Sequence, residues 1–282
     1  MKTIVPDILL PWLWRIEVPS DTLPPYQTTN TYLIADQGTG LLVDPGFKDN
    51  NSYHEVLNIL KLAKIDKLQG VLLTHGHSDH NAGLCKLLDN TPGLTIYLHS
   101  ADSNHIPKHI KTTPLKGGDL LTAGNKLIKT HHTPGHSPGH VIFEIFEGQA
   151  ILVGDLVSGQ GSTWLGLPDG NIKAYLSSLD LAQSLDSKIL GPGHGPICHN
   201  PNARIEAVRS HRLARQQQIL GIVLKEQQIT LSELRNTVYP QLDSRLVPPA
   251  SRTLLAHLEK LVQEGKVNRL DASEEGPYSS SY

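Results

Sequence analysis

The chain is short of the features that would place it in several large classes. It has two cysteines, Cys85 and Cys198, in 282 residues. That is too few for a disulfide framework and favours a reducing compartment. Both read as small buried apolar residues rather than as a reactive pair. There is no large surplus of charge of either sign: the formal net charge is −2, which gives no global attraction for a polyanion. Long apolar runs are missing as well. No segment approaches the ~20 uninterrupted apolar residues of a membrane span. The one apolar stretch near the N-terminus, Ile8–Trp14, follows Pro6 and Asp7 and contains Pro11, so it does not read as a signal peptide. These absences predict a soluble, cytoplasmic protein with no membrane partner. Hydrophobic residues make up 38%, enough for a real core, and the length admits one large domain or two unequal ones.

What the chain does have is histidine, 15 in all, and the clearest signal is their crowding at residues 71–80. An apolar run, Val71–Leu73, stops abruptly, and His75, His77, Asp79 and His80 follow within six positions. The run reads as a buried strand too short for a helix. Imidazole nitrogen and carboxylate oxygen are the donors that bind zinc-like cations. A polar loop that merely happens to be rich in His is the plain alternative. Four donors in one loop exceed what a single tetrahedral ion takes while leaving room for a reactant. Two ions sharing the cluster is therefore the economical reading.

The same grammar returns along the chain. Residues 12–18 alternate like a strand, and Thr31–Ala35 and Leu41–Val43 read as two strands around a turn. The second ends in Asp44-Pro45-Gly46, where Asp44 serves either to orient neighbouring ligands or as a simple turn residue. Ser52 through Lys64 reads as a helix, with Ser52 and Glu55 as a capping box, and Asn81–Leu88 as a short helix. Residues 100–118 hold His105 and His109 in a surface loop or short helix, with no ligand role. A tight Pro- and Gly-rich turn carries His136 and His140. A hairpin, Val141–Phe146 and Ala150–Val153, ends in Gly154-Asp155. After a helix at Lys173–Leu185, a strand at Lys188–Leu190 leads to His194. Strand-end loops at one rim of a sheet sandwich are a natural place to gather such groups from distant sequence.

The candidate ligands are thus His75, His77, Asp79, His80, His136, Asp155 and His194. Asp155 can bridge two cations and leave three private ligands for each. Two ions holding one water lower its pKa toward ~7, which supplies a hydroxide without a Ser or Cys nucleophile. Asp79 is expected to be indispensable to activity. His140 either donates to a substrate or intermediate or, as we prefer, hydrogen-bonds behind the ligands. His131 and His132 read as structural.

The combination THGHSDH at 74–80, TPGH at 133–136, Gly154-Asp155 and GPGH at 191–194 resembles the metallo-β-lactamase superfamily. The resemblance implies an αββα sandwich, an α/β (α+β) fold, with one metal on His75, His77 and His136, the other on Asp79, His80 and His194, and Asp155 between them. It casts Asp44 as an acid behind the ligands. An Asp at the bridging position argues against antibiotic hydrolysis, and His77 standing where di-iron oxidoreductases of the fold carry Glu argues against a redox role. Thr29–Leu33, Gly159–Thr163, Gly191–Asn200 and the run His211-Arg212 to Ile219-Leu220 are similar to the lactamase-beta-like protein 2 family. That likeness implies either cleavage of single-stranded RNA or hydrolysis of acyl thioesters, small or held on a carrier protein. Two Zn2+ per chain are the implied cofactors, with Mn or Fe as alternatives. The rivals are a mononuclear iron persulfide dioxygenase of the same fold, and a non-catalytic nucleic-acid-binding protein whose metal is structural.

From Pro201 the pattern changes, so we divide the chain into a catalytic domain, 1–200, and a C-terminal winged-helix-like domain, 201–282. Helices are expected at Ala203–Lys225, Leu231–Tyr239 (capped by Thr230) and Ser251–Glu264, with a small hairpin after them. The residues from Ser273 to Tyr282 are expected to be loose. This tail has eleven Lys and Arg against nine Asp and Glu, far from the dense basic patch that phosphate-backbone binding needs. Packing over the active-site rim suits it at least as well.

Overall fold

Alternating apolar residues give the early strands two buried faces, and each face needs its own cover. The computed structural model describes residues 3–281. Its first sheet has seven strands in chain order: β1 (Asp7–Leu10), β2 (Leu13–Pro19), β3 (Thr28–Asp36), β4 (Thr39–Val43), β5 (Lys67–Leu72), β6 (Thr95–His99) and β7 (Thr113–Leu115). The first four are antiparallel and the rest join in parallel through helical crossovers, α1 (Asn50–Leu62), then α2 (Ser78–Asn81) and α3 (Leu84–Asn90). A second sheet holds β8 (Leu120–Ala123), β9 (Lys126–His132), β10 (Val141–Ile145), β11 (Ala150–Gly154) and, after helix α4 (Ile172–Ser184), β12 (Ile189–Pro192). β12 lies parallel to β11.

Successive side chains point to opposite faces of a strand. Tyr32, Ile34, Val43 and Leu72 therefore meet Ile128, Val141, Phe143 and Leu152 between the sheets. Leu33, Leu42 and Val71 point outward to Val56, Ile59, Leu84 and Leu87 of the helices. On the far side, Ile142, Ile151 and Val153 pack on Tyr175 and Leu179. The result is the αββα sandwich. β4 with β5, and β11 with β12, are parallel pairs. The loops that leave them, carrying Asp44, His75, Asp155 and His194, thus emerge at common ends.

Past the sandwich come α5 (Pro201–Glu226), β13 (Gln228–Ile229), α6 (Leu231–Val238), α7 (Val247–Gln263), β14 (Val267–Arg269) and β15 (Tyr278–Ser280). Three helices and a small sheet in the order β13-β15-β14 make a winged helix. Its core joins Ile219 and Val223 to Leu234, Leu254, Leu258 and Tyr278. Ile205 and Val208, from the first half of α5, belong instead to the sandwich layer. The division at residue 200 therefore remains a proposal about two units joined by a helix that both share. No described helix is long and apolar enough to cross a membrane.

Several sequence expectations are corrected at this level. α1 starts before Ser52, because Asp49 caps it and accepts from the Ser52 amide at 2.8 Å. The helix expected over 81–88 is two pieces broken at Gly83, where a Cβ would stand 2.6 Å from both the Phe47 ring and the Pro45 carbonyl oxygen. α7 begins at Val247, since Pro248 and Pro249 fall in its first turn, where no amide donor is needed. The C-terminal residues are not loose as far as they are described: Tyr278 is fully buried in the wing, and Tyr282 lies outside the described residues. Cys85 is exposed and Cys198 half-buried, so neither is the core residue expected.

α5 and α7 are tied by Gln216, which donates to the His257 carbonyl oxygen at 3.2 Å and meets His257 Nδ1 at 2.6 Å. Burial, then the guanidinium groups of Arg212 and Arg215, holds the fully buried His257 down to about 3. The unfolded chain takes this proton below about pH 6.5 and the folded chain refuses it until much lower pH. Its contribution is therefore complete above about 6.5 and is lost as pH falls, by ~1.4 kcal/mol per unit at most. His257→Asn should flatten the acid side of the stability curve in chemical denaturation. Parallel curves for variant and wild type would contradict this.

Candidate metal centre

Five of the seven candidate ligands reach the rim on loops and two on a short helix, and short backbone links hold those segments in register. His75 follows β5, His77 precedes α2, and Asp79 and His80 sit on it. His136 lies between β9 and β10, Asp155 follows β11, and His194 follows β12. The Val141 amide donates to the Thr74 carbonyl at 2.7 Å, and the Gly193 amide to the Gly154 carbonyl at 2.8 Å. Gly154 has φ +47°, and a Cβ there would stand 2.4 Å from Thr74 Oγ1.

The donors gather in two groups. In the first, His136 Nε2 is 3.2 Å from His75 Nε2 and 2.9 Å from His77 Nδ1. In the second, His194 Nε2 is 3.2 Å from His80 Nε2 and 3.3 Å from Asp79 Oδ2. Asp155 stands between them. Its Oδ1 lies 3.5 Å from His80 Nε2 and 3.4 Å from His194 Nε2, while Oδ2 lies 3.6 Å from His136 Nε2. Oδ1 is buried and makes no hydrogen bond. Donors bonded at ~2.0–2.1 Å to one tetrahedral ion are about 3.3 Å apart. The observed separations suit such a set, so the residues fit divalent cations.

The opposite nitrogen of each imidazole is committed elsewhere, which fixes the ring and leaves one nitrogen for the centre. His75 Nδ1 meets Thr74 Oγ1 at 3.0 Å, His136 Nδ1 the Trp164 carbonyl at 2.9 Å, and His194 Nδ1 the Thr28 carbonyl at 2.8 Å. His80 Nδ1 is 3.0 Å from Asp44 Oδ2. Asp44 also accepts from the amide and hydroxyl of Thr74, at 2.8 and 2.7 Å. Of its two readings, the orienting one matches this geometry.

Electrostatics divides the groups. Burial, then the neighbouring imidazoles, keeps His75 well below the usual histidine range, and burial brings His136 to about 4 despite Asp155. Burial opposes charge on His80 and His194 too, but Asp155, with Asp44 or Asp79, outweighs it and raises both. Burial pushes Asp155 and Asp79 up. The surrounding histidines more than reverse this, leaving Asp155 well below the usual carboxylate range and Asp79 at about 2. Ionised carboxylates and neutral imidazoles are the forms that ligate.

His140 is not part of either group. It is fully buried with its ring 5.4 Å from that of His75, and Nδ1 meets Thr133 Oγ1 at 2.9 Å. It does not line the cavity beside the ligands, which suits support from behind rather than donation to substrate. His131 pairs with Glu144 at 2.8 Å and His132 Nε2 with the Pro138 carbonyl at 2.9 Å.

The sequence reading missed several residues. Asp102 is fully buried and accepts from the Gly76 amide (2.9 Å), the Ser137 hydroxyl (2.6 Å) and the Gly139 amide (2.6 Å), clasping the two histidine loops together. Asp169 lies 3.4 Å from His77 Nε2 and 3.5 Å from His105 Nε2. His105, assigned no role, thus sits beside the centre. Tyr26 stacks on His194 at 5.5 Å, and Trp164, pinned through Nε1 to the Pro249 carbonyl, stands 6.5 Å from His77. These residues lie in turns and helices with no motif of their own. Tyr26, His105 and Trp164, together with α5 and α7, line a half-open cavity of about 660 Å³ over the rim, floored by His77, Asp79, Asp155 and His194.

The sandwich and its paired histidine–aspartate groups define a metallo-β-lactamase-type centre. Residues 25–194 match the profile of the metallo-beta-lactamase superfamily, and the chain belongs to it. Residues 230–275 match the beta-lactamase associated winged helix domain. The chain is similar to a Drosophila melanogaster protein named beta-lactamase-like protein 2 homolog, 28% identical over 89% of this chain and 88% of that one. It is also similar to an atrochrysone carboxyl ACP thioesterase of Aspergillus fumigatus, 29% identical over 76% of this chain and 65% of that one. Among solved structures it resembles TTHA1623 in a di-iron-bound form, with a TM-score of 0.55 and 31% identity over 66% of this chain and 97% of that one. A metal-dependent hydrolase is the activity that family and centre support.

Asp102→Asn would take one acceptor from the clasp and leave a buried amide unmet. It should lower the unfolding free energy by about 1–3 kcal/mol, measured by chemical denaturation. An unchanged midpoint would show that the loops hold without it.

Proposed function

We propose that the chain is a dinuclear metal-dependent hydrolase of acyl thioesters. The observation that carries this reading is Asp155, whose two oxygens face two different donor groups. A single-ion centre, as in the iron dioxygenase alternative, would leave the Asp79–His80–His194 group without a task. Two cations bound there would supply a water of lowered pKa and a Lewis acid for the carbonyl oxygen. His75, His77 and His136 would hold one ion, Asp79, His80 and His194 the other, and Asp155 both. Seven donors shared by two ions leave open positions for a reactant, unlike the closed shell of a structural site.

The chain's own residues do the rest. Asp79 lines the cavity in ionised form, placed to hold a proton from reacting solvent besides serving as a ligand. Tyr26 and Trp164 flank the donors and form part of the cavity wall beside them. The thioester class rests on the thioesterase-named relative, and the cavity of about 660 Å³ is of a size for one small group. A phosphodiester substrate has no comparable support, since the tail carries a surplus of only two positive charges. Nitrogen and oxygen donors without a thiolate suit Zn, Mn or Fe; we favour zinc, and the di-iron neighbour keeps iron as the alternative. Free cysteines suit a reducing compartment, and we place the protein in the cytoplasm.

The test is hydrolysis by metal-replete protein of a neutral acyl thioester and, separately, of unstructured RNA, with metal analysis alongside. We expect about two ions per chain and turnover of the thioester. Asp79→Asn should reduce it by at least the ~10–100-fold typical of losing a residue behind metal ligands. One ion per chain, or wild-type turnover by the variant, would overturn the two-ion reading. RNA cleavage without thioester cleavage would overturn the substrate class.

A further inference from the structure

The cavity wall contributed by α5 holds positive charge that no carboxylate among the described residues pairs with. Arg212 is only 3% exposed. One terminal nitrogen donates to the Thr163 carbonyl oxygen, the guanidinium lies 5.6 Å from the centre of the Tyr175 ring, and Nε is buried without a partner. Arg215, one turn on, sits over the Tyr239 ring at 4.6 Å, with Nη1 buried and unpartnered. Both line the cavity. Among the described residues neither forms an ion pair, unlike Arg209, Arg245, Arg252 and Arg269; Arg204 and Arg235 also form none, but their guanidinium groups donate to oxygens of Ser158, Gly161, Ser251 and Asn236.

No acid in the cavity is free to serve. Its carboxylates are Asp21, Asp79 and Asp155. Asp21 pairs with Lys48, and the other two face the imidazoles. Buried charges in folded proteins are paired or meet a ligand, because the desolvation cost is otherwise uncompensated. The field of the two arginines is felt nearby: burial, then Arg212 and Arg215, pushes the pKa of His211 down. Stacking on tyrosines fixes the guanidinium planes in advance, so little entropy is lost when an oxyanion arrives.

We propose that Arg212 and Arg215 form an anion subsite that holds a phosphate or carboxylate group of the substrate while its scissile bond reaches the histidine–aspartate rim. The subsite rests on the hydrolase reading for its place in the reaction, but not for its ability to bind an anion. A cavity of about 660 Å³ lies within the range that holds one small ligand. Two arginines in one pocket suit a single oxyanion, not the long phosphate track of a nucleic acid.

The experiment uses full-length, metal-replete protein and three thioesters matched in acyl length: one neutral, one with a phosphate ester on the thiol side, one with a carboxylate at the acyl end. Separately, calorimetry measures inorganic phosphate binding to wild type, Arg215→Gln, Arg215→Lys and Arg212→Lys, with circular dichroism to confirm folding. We expect one anionic substrate to exceed the neutral one by about tenfold or more in kcat/KM, mainly through KM. Which anionic arm responds names the source of the oxyanion. Arg215→Gln and Arg212→Lys should each shrink that ratio and weaken phosphate binding by a similar factor, and Arg215→Lys should restore part of both. A wild-type ratio near one, or a ratio and phosphate affinity untouched in folded variants, would overturn the subsite. Arg215→Gln weakening only the binding of an unstructured oligonucleotide would overturn it in favour of nucleic acid. Failure to cleave any thioester would sink the thioesterase reading instead, and the phosphate affinities would still decide the subsite.

Discussion

A carboxylate shared between two sets of imidazoles is the constraint on which the rest of this structure depends. Asp155 is almost wholly buried, and burial alone would neutralise it. The surrounding histidines draw its pKa well below the usual carboxylate range, and it in turn raises those of His80 and His194. Such a knot of mutual dependence is costly to a fold unless cations complete it, because half-satisfied buried polar groups lose more than an apolar core would.

The scaffold pays this cost through strand direction. Parallel pairing of β4 with β5 and of β11 with β12 sends four loops to common ends. The loops are then locked by groups that never meet the cavity: Asp44 behind His80, Asp102 between the two histidine loops, and Thr133 behind His140. The C-terminal helices close the other side. Because α5 contributes to both cores, the wall carrying Arg212 and Arg215 is positioned by the sandwich as well as by the winged helix.

Much of this was legible in the sequence because ligands and turn glycines are local signals. The donors of residues 75–80 declare themselves by density, and His136, Asp155 and His194 by their place after strands or tight turns. The sandwich followed from alternation and the family resemblance. What stayed hidden was anything set by distance in space. Asp102 reads as one acid in a polar loop until three donors converge on it. Arg212 looks like an exposed position on a long polar helix, and only the docking of α5 buries it. His105 and Asp169 lie 64 positions apart by their numbers and meet only beside His77. Helix starts were misjudged where a cap or a first-turn proline, at Asp49 and Pro248, moved the boundary by a few residues.

We propose that two cations flank Asp155. Anomalous diffraction from crystals of metal-replete protein, collected on both sides of the metal's absorption edge, addresses it directly. The account predicts two peaks, one among His75, His77 and His136 and one among Asp79, His80 and His194, with Asp155 in contact with both. A single peak, or two peaks of which Asp155 touches one, would contradict it.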